Sequence, residues 1–137
     1  MGSGSSFGLG LELVLGLLGD VDAADPVDLD AVGALLVDAQ AIGILGLRLT
    51  LRALAGAAAE PGPEASVRKL VGVEHDQRVQ EVGLGLLGRA AVANDGDAAA
   101  WLYGFLANRC LSIAGGTSEI QRNVIAERLL GLPRDAD

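Results

Sequence analysis

Few residues in this chain have types and spacings that could do chemistry. His75, the single histidine, lies between Glu74 and Asp76, the kind of grouping that acid–base or metal work would need. Neighbours in sequence point to different sides of a helix, however, so these three do not converge, and the stretch 74–78 reads as a solvated helix face. Cys110 is the single cysteine. It can form no internal disulfide, and with His75 it falls short of a structural zinc set. Close to the end of its helix, it reads as a small core residue. The chain contains no H-E-x-x-H, no phosphate-binding Walker loop, no cysteine pair and no G-x-S-x-G. What remains is Gly115-Gly116-Thr117-Ser118-Glu119. Ser118 with Gln121 three residues later fits a capping box, and Glu119 favours the positive end of a helix dipole.

The bulk composition bounds what these groups can serve. The 137 residues amount to 13.9 kDa, half of them apolar and 20% charged, which fits one folded domain and excludes a disordered chain. Ten Lys and Arg against 18 Asp and Glu leave a net charge of −8, the wrong sign for a nucleic-acid surface. Aromatic residues make up 3%, too few for base-stacking platforms. The apolar segment 7–19 is interrupted by Glu12 and falls short of the roughly 18–20 residues a membrane span needs. The first basic residue is Arg48, so a signal peptide with a basic start is not expected. These features point to a cytoplasmic protein with no nucleic-acid partner, no metal site and no membrane span.

The elements that position the polar segment are expected to be all-α, an antiparallel four-helix bundle with short connections, because strand signals are nearly absent. Asp25-Pro26 reads as N-cap and first-turn proline, with Asp28 in the first turn. It opens a helix over 27–58 whose apolar face carries Val32, Leu35, Leu36, Ala39, Ile42, Gly46 and Leu49. Glu60-Pro61-Gly62-Pro63 ends that helix. A second spans 64–88, with Val67, Leu70, Val71, Val82 and Leu86 on its apolar side. Asp97 reads as the N-cap of a helix over 98–113 that buries Trp101, Leu102, Phe105, Leu106 and Ile113. The last covers 118–130, with Ile120, Val124, Ile125 and Leu129 on one face, and Gly131 with Pro133 stops it. The division is a lead and short apolar helix over 1–25, the bundle over 26–134, and a tail over 135–137. Gly33, Gly43, Gly46, Gly72, Gly83 and Gly85 all fall inside expected helices, an unusual load for a self-sufficient bundle.

The last helix also carries a resemblance. Residues 112–123, S-I-A-G-G-T-S-E-I-Q-R-N, followed over 125–134 by I-A-E-R-L-L-G-L-P-R, resemble the C-terminal signature of acyl-CoA dehydrogenases, without gaps. Residues 61–70, P-G-P-E-A-S-V-R-K-L, resemble the start of the same family's preceding long helix, and 101–109 its penultimate helix. The resemblance covers about 26–134 and is closest to the form common in actinobacterial fatty-acid and sterol catabolism. It implies a C-terminal four-helix bundle of an FAD enzyme that removes the α-proton of an acyl-CoA while hydride leaves Cβ for the flavin. Thr117 and Glu119 match family residues that contact FAD, although Thr117 and Ser118 could equally serve as caps.

The departures from the family pattern limit what the chain can do. Many members carry the catalytic glutamate two residues before the threonine, and that slot here is Gly115, which cannot take a proton. A family glutamine near the end of the long helix falls at Gly85. The R-x-x-F-G segment, the β-domain and the N-terminal domain have no counterpart in the 137 residues. The resemblance therefore implies a C-terminal domain, apparently truncated, that is not catalytically competent as an isolated chain. A non-catalytic bundle subunit pairing with a full-length acyl-CoA dehydrogenase is the alternative, and a freestanding helical protein without a flavin role is a third. The apolar segment 9–18 and the two long helices are the faces expected to drive self-association or such pairing.

Overall fold

The computed structural model describes residues 10–19, 25–56, 62–94, 96 and 98–134. All regular structure among them is helical. In chain order the elements are α1 (Leu11–Leu18), α2 (Pro26–Leu54), α3 (Glu64–Leu87), the short α4 (Arg89–Ala93), α5 (Ala98–Ala107) and α6 (Ser118–Val124). A tight 3₁₀ turn, Asn108–Ser112, extends α5, and a wide π turn, Ile125–Leu129, extends α6. The lead over 1–9, the expected N-cap Asp97 and the tail over 135–137 lie outside the described residues, as do Glu60 and Pro61.

α3 is the axis of the bundle, and α1, α2, α5 and α6 all pack against it. The core sits at one end, where Val14 of α1, Val32 and Leu35 of α2, Val79 of α3 and Trp101 of α5 form one buried cluster. Trp101 lies across Gly83, where a Cβ would come within 2.3 Å of the indole ring. That glycine is therefore spent on a close helix crossing. A Cβ at Gly33, Gly43, Gly72 or Gly85 meets nothing within 4 Å, so crossings within this chain do not account for those four.

The start of α2 follows the expected chemistry: Asp25 Oδ1 accepts the Val27 N–H at 2.8 Å with Pro26 in the first turn. The expected helix over 98–113 is instead α5 plus the 3₁₀ turn. Asn108 is fully buried and donates its Nδ2 to the Asp76 carbonyl of α3 at 3.1 Å, and Ser112 Oγ donates to the Arg109 carbonyl at 2.7 Å. The Asn108 bond anchors the end of α5 to α3, and the local Ser112 bond competes with the α-helical ladder there. Leu106, within α5, and Ile113, just past the 3₁₀ turn, are exposed and not part of the buried stripe expected for them. Cys110 is exposed as well, and is not the core residue expected; nine residues along the helix from Trp101 puts it about half a turn round from the buried face. The polar middle of α3 holds a further correction. His75, Val79 and Gln80 are buried, so the stretch around His75 is not a solvated face.

α2 stands apart in two respects. It packs on α1 and α3 through one face, while Val37, Ile44, Leu47, Leu51 and Leu54 on the opposite side are exposed. By length and composition alone it is also the one described helix that could cross a membrane.

Candidate functional site

The segment expected to do chemistry is a clasped loop at the head of α6. Gly115 and Gly116 take φ of +67° and +99°, a region open to glycine and strained for other residues. The chain thereby turns sharply from the 3₁₀ turn into α6. Two side chains hold the turn. Lys69 of α3 donates its Nζ to the Gly116 carbonyl at 2.6 Å, and Gln121 donates its Nε2 to the Gly115 carbonyl at 2.8 Å. A Cβ on Gly116 would press on Gln121 Nε2 at 2.8 Å, so both the backbone angle and the space require glycine there. Arg122 pairs with Glu74 at 3.0 Å and ties α6 to α3 from the other side.

The N-cap of α6 is Thr117, one residue earlier than the capping-box reading placed it. Thr117 Oγ1 accepts the Ile120 N–H at 3.3 Å from an extended backbone. Gln121, expected to close the box on the N-cap amide, is buried and turned back to Gly115 instead. The structure brings Thr117 and Glu119 together. The Glu119 carboxyl is held below the usual carboxylate range by its own backbone N–H, then by the Thr117 hydroxyl and the Arg122 charge. It is exposed, so its outward lone pairs remain available to a ligand.

That donor and acceptor set has a definite preference. A carboxylate standing over the first free amides of a helix repels a phosphate that those amides would otherwise attract. It accepts well from hydroxyl and N–H groups. The head of α6 thus offers an acceptor to hydroxyl and N–H groups. Gly115 is exposed, and its missing Cβ would face open space.

A second polar cluster was hidden in the sequence. Between α2 and α3 runs a groove of about 380 Å³, walled by Ala41, Ile42, Leu45, Val67 and Val71 and edged by Asp38, Glu74, His75 and Arg78. Asp38 and Arg78 are 2.8 Å apart in an ion pair. His75 is 7% exposed, and its Nδ1 is buried without a hydrogen-bond partner. Burial holds its pKa below 6.5; Asp38 works against that effect and Arg78 with it. The signal was periodicity: Val67, Val71, His75, Val79 and Val82 recur every three or four residues, which puts the histidine on the inward stripe.

The family model for the C-terminal domain of acyl-CoA dehydrogenases matches residues 22–130. The chain belongs to the acyl-CoA dehydrogenase family. It is 41% identical to the acyl-CoA dehydrogenase FadE34 of Mycobacterium tuberculosis over 140 residues, covering 98% of this chain and 18% of that protein. The acyl-CoA dehydrogenase IpdE1 of the same organism is 37% identical over 87 residues, covering 63% of this chain and 23% of that protein. This acyl-CoA dehydrogenase domain therefore spans about a fifth of the length of the curated relatives it matches. The crystal structure of the ChsE4-ChsE5 complex from M. tuberculosis superposes with a TM-score of 0.69 over 93% of this chain and 38% of that chain, at 22% identity. That likeness shows a shared fold.

Proposed function

We propose that this chain serves as the C-terminal helical domain of an FAD-dependent acyl-CoA dehydrogenase, in the cytoplasm, and supplies cofactor contacts but no catalytic base. The observation that carries the reading is the head of α6. A family-matched loop there is clasped by Lys69 and Gln121 and presents Thr117 and an exposed Glu119 carboxylate beside a glycine in the base slot. When bound, FAD accepts the hydride that leaves the acyl Cβ. The chain's own part is to orient it. Glu119 accepts from a sugar hydroxyl or a ring N–H, and Thr117 fixes the carboxylate while capping the helix. Gly115 holds the turn and removes no proton.

The exposed outer face of α2, together with the glycine at the base slot, favours one further reading within the same family. In that reading the bundle is a non-catalytic subunit that pairs with a second copy or with a full-length acyl-CoA dehydrogenase. Flavin absorbance of the purified chain, alone and co-expressed with a full-length relative, tests both readings. Flavin retained by the co-expressed assembly and reduced by Glu119→Ala supports the cofactor role. Retention unchanged by Glu119→Ala removes that residue from it, and a chain that never co-purifies with the relative removes the pairing.

A further inference from the structure

The groove between α2 and α3 has two unlike ends. Three contacts set the antiparallel order of its walls. Asp38 pairs with Arg78 at 2.8 Å, Arg68 lies across Gly46, whose missing Cβ would sit 3.7 Å from Arg68 Nε, and Arg52 pairs with Glu64. From Asp38 to Gly46 the groove follows two turns of helix, about 12 Å. Its middle and its Gly46 end are apolar, walled by Ile42, Leu45, Val67 and Val71. His75 stands at the Asp38 end. It lines the groove, is 7% exposed, and its Nδ1 is buried with no hydrogen-bond partner. A buried polar atom in that state has given up its hydration without return. An apolar groove that ends on such an atom has the makings of a small-molecule site.

We propose that this groove binds an uncharged, compact aliphatic alcohol, with the hydrocarbon body along Ile42, Leu45, Val67 and Val71 and the hydroxyl on the His75 imidazole. The site uses neither Thr117 nor Glu119, and the inference does not rest on the flavin or pairing readings above. Three observations select the ligand. The first is size. About 380 Å³, at about 30 Å³ for each non-hydrogen atom, holds about a dozen such atoms. The second is charge. Arg78 on the rim is taken by Asp38, and Glu74 by Arg122 at 3.0 Å. A carboxylate ligand would meet no free cation among the lining residues and an ammonium no free carboxylate, and either would lose its hydration against apolar walls. The third is hydrogen bonding. Burial keeps the ring neutral at pH 7.5, so one nitrogen donates and the other accepts. A hydroxyl does both and answers the ring in either tautomer, whereas an ether or ketone answers only one.

The test uses the full chain and 4-tert-butylcyclohexanol, a rigid alcohol of suitable size, at pH 7.5. His75 is the single histidine, so the nitrogen-15 spectrum of the labelled chain shows one imidazole. Its Nδ1 resonance should move and saturate at alcohol concentrations on the order of 1 mM, with titration calorimetry giving the same affinity. His75→Leu should weaken binding about three- to tenfold, the loss of one neutral hydrogen bond. Ala41→Phe, at an exposed position on the groove wall, should fill the groove and abolish binding while helical circular dichroism and the melting temperature stay unchanged. An imidazole resonance that never moves overturns the site. Affinity unchanged in a folded His75→Leu chain overturns the hydroxyl–imidazole contact, and binding that survives Ala41→Phe overturns the location. Tighter binding of 4-tert-butylcyclohexanecarboxylate or 4-tert-butylcyclohexylamine than of the alcohol overturns the uncharged ligand.

Discussion

At the scale of single residues, Gly115 and His75 give the sharpest expectations. A glutamate at position 115 would restore the family's base in name only. The residue would sit at φ near +67°, where a side chain costs about 1–3 kcal/mol. Gly115→Glu should therefore lower the melting temperature and confer no acyl-CoA oxidation on the isolated, FAD-supplemented chain. Differential scanning fluorimetry and an electron-acceptor assay check the two halves, and any turnover refutes the second. His75 sets a pH dependence. Its folded pKa lies below the unfolded value of 6.5 because burial opposes the charged ring. Between those two values the unfolded chain binds more protons, so stability should fall as pH drops below 6.5 and level off beneath the folded pKa. Urea midpoints at pH 7.5 and 5.5 should differ less in His75→Gln than in the native chain. The half-buried Asp76 carboxyl is raised above 3.8 by burial and works in the other direction. It weakens the fold at neutral pH, so Asp76→Asn should raise the urea midpoint at pH 7.5, with the gain shrinking as pH approaches 3.8.

At the scale of elements, the glycines separate by what their missing side chains would meet. Gly83→Ala drives a Cβ into Trp101 and should destabilise by about 1–3 kcal/mol, as overpacking does. Gly72→Ala meets nothing and should stabilise by about 0.5–1 kcal/mol through helix propensity. Paired melts of the two variants distinguish packing from propensity. These helices were legible in sequence where a local signal sufficed: Asp25-Pro26 at the start of α2, Gly62-Pro63 ahead of α3, and Gly131 with Pro133 at the end, whereas α2 stops at Leu54, short of the expected 58. They were not legible where the deciding partner is remote in sequence. Asn108 anchors the end of α5 only because Asp76 waits across the bundle. The shift of the N-cap from Ser118 to Thr117 likewise follows from Gln121 being drawn to Gly115 rather than to the cap. Of the candidate site, Thr117, Glu119 and Gly115 were visible through the resemblance. The Lys69 clasp was not, since a lysine 47 residues away leaves no periodic trace. The burial of His75 could have been read from spacing, but its charged neighbours masked it.

At the scale of the whole molecule, charge and apolar surface oppose each other. Two chains of −8 whose centres are about 25 Å apart repel by on the order of 10 kcal/mol in unscreened water. At physiological salt the screening length is about 8 Å, which removes most of that repulsion. Exposed ion pairs across an interface contribute about 0–1 kcal/mol each, so the global repulsion dominates the salt response. Association should strengthen as sodium chloride rises from about 10 mM to 150 mM. Sedimentation across that range checks it, and a complex that weakens with salt would mean that local ion pairs govern the contact. The crossing of Trp101 over Gly83 has an optical consequence. Trp101 is the chain's single tryptophan and is nearly sealed in the core where α1, α2, α3 and α5 meet. Its emission is a built-in reporter of that junction: blue-shifted while the helices are docked, red-shifted once water reaches the indole. No dye or label is needed to follow the unfolding of this chain, and a bound flavin near enough to accept energy from the indole would announce itself as a loss of the same light.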